Sequence, residues 1–120
     1  REENQRIKLD ILQVVTGKEI HPMATVRLAI AGEKFTATSD GNGPVDAAIK
    51  AVKQILTRQV TLEEFLIQAI TRGSDDVGKV HMTIQHEEHM YHGFGAHTDI
   101  ITASVEAFLD AINKIPIAVK

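Results

Sequence analysis

No cysteine occurs among the 120 residues. That excludes a disulfide framework and thiol catalysis, although it does not fix the compartment. There is no excess of positive charge either. With 13 Lys+Arg against 16 Asp+Glu and a net charge of -3, the chain has no basic field to draw a phosphate backbone, so nucleic acid is not an expected partner. No apolar run approaches the roughly 20 residues of a membrane helix, and the polar opening Arg1-Glu2-Glu3-Asn4-Gln5-Arg6 has neither a signal-peptide layout nor an initiator Met. Residues 1–6 read as a linker at the cut end of a longer cytoplasmic chain. What remains is 43% apolar, enough for one folded domain over residues 7–120 without staples.

The positive signal is internal repetition. Gly41-Asn42-Gly43-Pro44-Val45-Asp46-Ala47-Ala48-Ile49-Lys50-Ala51 can be laid over Gly93-Phe94-Gly95-Ala96-His97-Thr98-Asp99-Ile100-Ile101-Thr102-Ala103-Ser104, each read as a glycine-rich bend feeding a helix. Upstream, Leu12-Gln13-Val14-Val15-Thr16-Gly17 answers Ile67-Gln68-Ala69-Ile70-Thr71-Arg72-Gly73 with one residue inserted. Two like units, about 7–58 and 61–115, imply a pseudo-two-fold body whose seam suits a small ligand or a second subunit.

Within the first unit, Ile7 to Thr16 is β-branched near period two and stops at Gly17. After a loop at 18–22, Met23 to Ala31 alternates and turns at Gly32-Glu33 into Lys34 to Ser39. A helix follows, with Gly43 before it, Pro44 at its first position and Asp46 in its first turn. Ala48, Ala51, Val52, Ile55 and Leu56 form its buried stripe. In the second unit Leu62, Phe65, Leu66, Ala69 and Ile70 fall at helical spacing, and Thr61 with Glu64 resembles a capping box. The repeat overrides that pattern and makes the segment a strand, because like copies adopt like structure. Lys79 to His86 and His89 to Phe94 form a hairpin across Glu87-Glu88. The last helix takes Thr98 as N-cap, with Ile101, Val105, Phe108, Leu109 and Ile112 inward. The fold class is α+β, two βββα repeats with antiparallel sheets and helices on one side.

Gly41 to Ala48, the loop Gly73-Ser74-Asp75-Asp76-Val77-Gly78, and Thr98 to Ser104 followed by Ala111-Ile112-Asn113 resemble the C-terminal regulatory domain of the 2-isopropylmalate synthase and citramalate synthase family. The resemblance runs from about Leu9 to Asn113, with several dispersed motifs in order. It implies a non-catalytic domain that dimerises and binds an end-product amino acid as feedback inhibitor. The catalytic barrel of the same chain, absent here, would condense acetyl-CoA with a 2-oxo acid on a divalent metal. No cofactor is expected in this domain, and no membrane partner.

Carried over residue by residue, the resemblance places Asn42, Gly43 and Val45 on the first bend, Leu62, Phe65 and Ala69 on the following segment, and Val77 in the next loop. Phe65 departs from relatives that carry Tyr, which removes a hydroxyl contact. A roomy Ala69 favours leucine as effector, where citramalate synthases that respond to isoleucine have a bulkier residue. Physical chemistry asks such a pocket for N-H donors, an acceptor and a dry wall. Backbone amides at Asn42-Gly43 and at Ala96-His97-Thr98 could meet a carboxylate at a helix N-terminus. Asp75 or Asp76, and more remotely Asp46 or Asp99, could accept from the ammonium. Taken singly, the same residues have plainer readings: Gly41, Gly43, Gly93 and Gly95 as bends with positive φ, Asp46 and Asp99 as helix-start stabilisers, and Leu62, Phe65 and Ala69 as core.

His86, His89 and His92, with Glu87, Glu88, His81 and His97, offer zinc or nickel ligands and hence a second class of function, a metal- or partner-binding module. The spacing is one residue short of the His-Glu-x-x-His signature, and strand alternation splits the set, so no metal site is assigned. No nucleophile, base and orienting group recur in a catalytic arrangement.

Overall fold

The computed structural model describes residues 6–70 and 77–116. Eight elements follow one another: β1 (Ile7–Gly17), β2 (Ile20–Ile30), β3 (Glu33–Asp40), α1 (Pro44–Ile55), β4 (Thr61–Ile70), β5 (Val77–His86), β6 (His89–His97) and α2 (Ile100–Ile112). They make two antiparallel three-stranded sheets in the orders β1-β2-β3 and β4-β5-β6, each followed by its helix. The βββα repeat is therefore real, and the segment with helical spacing is a strand. Two compact units result, one of Ile7–Gln59 and one that runs from Val60 and includes Arg6.

Hairpin geometry explains the sheets. Ala31 (φ 53) with Gly32 (φ 84), and Glu87 (φ 51) with Glu88 (φ 71), put two consecutive residues in the left-handed region, the primed turn whose twist matches that of paired strands. The first connection is shorter than the sequence suggests, since β2 already begins at Ile20 and only Lys18 and Glu19 turn. Likewise Glu33 belongs to β3, and the turn is Ala31-Gly32.

In the first unit Ala24, Val26 and Leu28 point to α1, which answers with Ala47, Ala48, Ile49, Ala51 and Val52. Lys50, Lys53 and Gln54 face outward as the stripe predicts, while Leu56 lies just past the helix as its C-cap. A register shift between Leu9 and Ile11 bulges β1 at Asp10. The Asp10 carboxylate takes Arg27 at 2.9 Å and Lys34 at 3.2 Å, and those two cations, Lys34 foremost, hold it below the usual carboxylate range.

The second unit has the deeper core. Val80, Met82 and Ile84 from β5 meet Val105, Phe108, Leu109 and Ile112 from α2, all of them buried. Among the described residues no buried side-chain polar atom lacks a hydrogen-bond partner; Ser104, fully buried, donates to the Ile100 carbonyl at 2.8 Å. Arg6 Nη2 donates to the Ile115 carbonyl at 2.6 Å, near the end of α2.

Three local expectations need correction. Residues 93–97 are strand, not bend, and among the described glycines only Gly32 has positive φ. Gly93 and Gly95 serve a close approach instead: a Cβ on Gly93 would lie 2.0 Å from the Ala107 carbonyl oxygen, and one on Gly95 2.2 Å from that of Ala103. Gly41 is needed for the same reason, its Cβ falling 2.5 Å from the Ala47 nitrogen. The overlay of the two repeats also shifts. Counted from hairpin turns and helix starts, Gly43 answers Asp99, not Gly95, and Gly93 and Gly95 answer Ala37 and Ser39.

The N-cap of α2 is Asp99, one residue after Thr98. Its carboxylate accepts from the Thr102 hydroxyl at 2.6 Å and the Thr102 N-H at 3.1 Å. The hydroxyl bond first, with the backbone bonds, keeps that carboxyl below its ordinary range. Asp99→Ala is expected to cost about 1 kcal/mol at neutral pH. A depressed folded-state value means the contribution is complete above the unfolded value near pH 4 and fades as pH falls through the lower, folded one. Urea midpoints of wild type and variant, measured from neutral pH downward, should converge only in acid.

Candidate functional site

A bulge decides which candidate residues meet. Leu62 and Phe65 are three residues apart, which on a regular strand would put them on opposite faces. The register shift between Leu62 and Glu64 absorbs Glu63, so Leu62 lies opposite Ile84 and Phe65 opposite Met82, both helix-side positions. Ile67, opposite Val80, continues the series, and Ala69 takes the next register position, opposite Gly78. Because α2 packs on β5 and β6 and not on β4, Phe65 and Ile67 in this row stay open to solvent. Phe65 is 38% and Ile67 50% exposed. The result is an apolar shelf along β4. Ile67 was not singled out by sequence, since its place on the shelf depends on the bulge.

The other candidates are distributed differently. Val77, opposite Ile70, and Ala96, opposite Lys79, belong to the far face of the same sheet. Thr98 is exposed in the turn before α2. Asn42, Gly43 and Val45 belong to the first unit, where Gly43 is the N-cap of α1 with extended φ of -160° and open space where a side chain would be. Asp75 and Asp76 lie outside the described residues.

Both helix N-termini already hold an anion. Asp46 Oδ2 accepts the Asn42 N-H at 2.9 Å, and that bond, with a smaller contribution from Lys50 at 3.4 Å, lowers its pKa. Asp99 does the same for α2. The helix-start reading of these aspartates thus describes what their carboxylates do, and an incoming carboxylate would share or displace them.

The far face of the second sheet carries an open groove of roughly 560 Å³, lined by Glu64, Leu66, Gln68, His81, Thr83 and His92 among others. The Thr83 hydroxyl lies 2.9 Å from His92 Nδ1 and 3.4 Å from Glu64 Oε1, while the His81 ring tilts against Phe94 at 4.9 Å. His86 and His89 pair across the turn on the opposite face from His81 and His92, and His97 Nδ1 accepts the Asp99 N-H at 2.9 Å. Among the described residues no group of three or more His, Asp or Glu is placed to hold a metal ion. No described helix is long and apolar enough to cross a membrane.

The amino-acid sequence has clear relatives. A 2-isopropylmalate synthase of Parabacteroides distasonis is 52% identical over 115 residues, 95% of this chain and 23% of that protein. Those of Heliobacterium modesticaldum and Trichodesmium erythraeum are 43% and 40% identical, covering 89% and 90% of this chain and 21% and 20% of theirs. The chain thus spans about a fifth of the length of the curated relatives it matches. The family described as the LeuA allosteric (dimerisation) domain matches residues 1–116, and this chain belongs to that family.

Proposed function

We propose that this chain is the sensing region of a 2-isopropylmalate synthase, that it binds leucine as feedback inhibitor, and that it pairs with a second copy of itself. In this reading it works in the cytoplasm and is joined to a catalytic barrel that carries the divalent metal and the acetyl-CoA condensation. The observation that carries the proposal is the β4 shelf. Half-buried Leu62 and exposed Phe65 and Ile67 present an apolar row on one face, suited to measure a branched side chain in a member of a family described as allosteric. Polar contacts to the zwitterion are proposed for the acidic residues Asp75 and Asp76, which follow β4 in the same unit.

A ligand that binds only the folded state stabilises it by about 2.7 kcal/mol at a hundredfold excess over Kd, a rise in Tm on the order of 10 °C for a domain of this size. Leucine should produce that shift, isoleucine and valine a smaller one, lysine and zinc none. A shift with zinc alone would favour a metal-binding module, and no shift with any amino acid would remove the sensor reading. Ala69→Phe should abolish the leucine shift while leaving the far-UV spectrum unchanged; an unaltered shift would move the pocket elsewhere.

A further inference from the structure

β6 is an edge strand of its sheet, so alternate residues turn their backbone groups away from β5, towards whatever could lie alongside. His92 and Phe94 are of this kind, and together the His92 C=O and the Phe94 N-H form the acceptor and donor that an added strand would engage. Neither is available. Asp110 Oδ2 accepts the Phe94 N-H at 2.9 Å, Lys114 Nζ donates to the His92 carbonyl at 2.6 Å, and the two side chains pair with each other at 3.7 Å.

The strand needs such protection. Met90 and Phe94 are 53% and 44% exposed on its outer face, a flat apolar edge of the sort that invites pairing between molecules. We infer that Asp110 and Lys114 form a clamp that bars a second copy of this chain from adding a strand to β6. The clamp confines self-association to other surfaces.

The test is a double variant, Asp110→Ala with Lys114→Ala, followed by sedimentation velocity over a range of concentrations and by amide exchange at Phe94. At the lowest concentration, where copies do not associate, opening the clamp should speed exchange of the Phe94 amide about fivefold, the factor for one lost hydrogen bond; at higher concentration sedimentation should shift to species larger than wild type, in which that amide is protected again. Lys114→Arg, which keeps a donor for the carbonyl, should sediment as wild type. If the double variant does not fold, Lys114→Ala alone exposes the His92 carbonyl and decides by the same sedimentation measurement. Faster Phe94 exchange with unchanged sedimentation at every concentration would overturn the inference, and so would a Phe94 amide whose exchange at the lowest concentration does not respond.

Discussion

Gly93→Ala is expected to destabilise the second unit by at least about 3 kcal/mol, at or beyond the upper end of the usual overpacking range. The new Cβ would lie 2.0 Å from the Ala107 carbonyl oxygen, 2.6 Å from the Ala111 nitrogen and 2.9 Å from the Ala111 Cβ. Two of these three are backbone atoms of a helix interior, which no rotamer change can move. The helix must lift, and with it Phe108, Leu109 and Ile112, now 0%, 2% and 1% exposed, would lose contact with β5. Against a total stability of about 5–15 kcal/mol, that leaves a marginal or unfolded unit. Tyr91 lies on β6, and the chain has no other tyrosine and no tryptophan, so its fluorescence reports the melt of this unit directly. Gly95→Ala should behave alike, and Gly43→Ala, with nothing within 4 Å, should cost no more than about 1 kcal/mol. A Gly93→Ala melt indistinguishable from wild type would refute the close helix-to-sheet approach.

Phe108→Ala should cost about 3–5 kcal/mol, the range for a buried aromatic removed from a packed core. Among the described residues Phe108 is the largest side chain with no exposure, and Met82, Ile84, Val80, Val105 and Ile112 of the same unit are at most 1% exposed. The cavity would be walled by elements that cannot collapse inward without breaking the seating of α2 on Gly93 and Gly95. Urea denaturation followed through Tyr91 should show a lower midpoint. A loss under 1 kcal/mol would mean that the α2 core is looser than its burial indicates.

Much of this fold was legible because local chemistry and the repeat agreed. The strand at Thr61–Ile70 is the instructive case: its own spacing favours a helix, and only its resemblance to Leu12–Gly17 corrects it. Pro44 and Asp46 marked α1 without ambiguity, since a fixed φ and a first-turn carboxylate act within one residue of the boundary. At α2 two adjacent capping residues compete, and the choice of Asp99 depends on a bond to Thr102 that no pattern encodes. The glycines misled for a similar reason. Gly93 and Gly95 look like a bend in sequence, but their function is to let α2 approach, a property of tertiary packing. In the candidate site the bulge at Glu63 is what joins Leu62 to Phe65 and brings in Ile67, and an inserted residue in a strand leaves no signature in composition or period. Asp46 was visible as a helix-start residue and Asn42 as part of the bend before it, but the bond between them, which occupies the amide proposed for an effector, was not.

The account rests on this chain recognising a branched amino acid by itself. Isothermal calorimetry with leucine titrated into the 120-residue chain tests that most directly. Saturable binding is predicted, with isoleucine weaker by the 1–3 kcal/mol that a small apolar difference commands. A flat isotherm with leucine, isoleucine and valine, from a chain whose far-UV spectrum shows it folded, would contradict it.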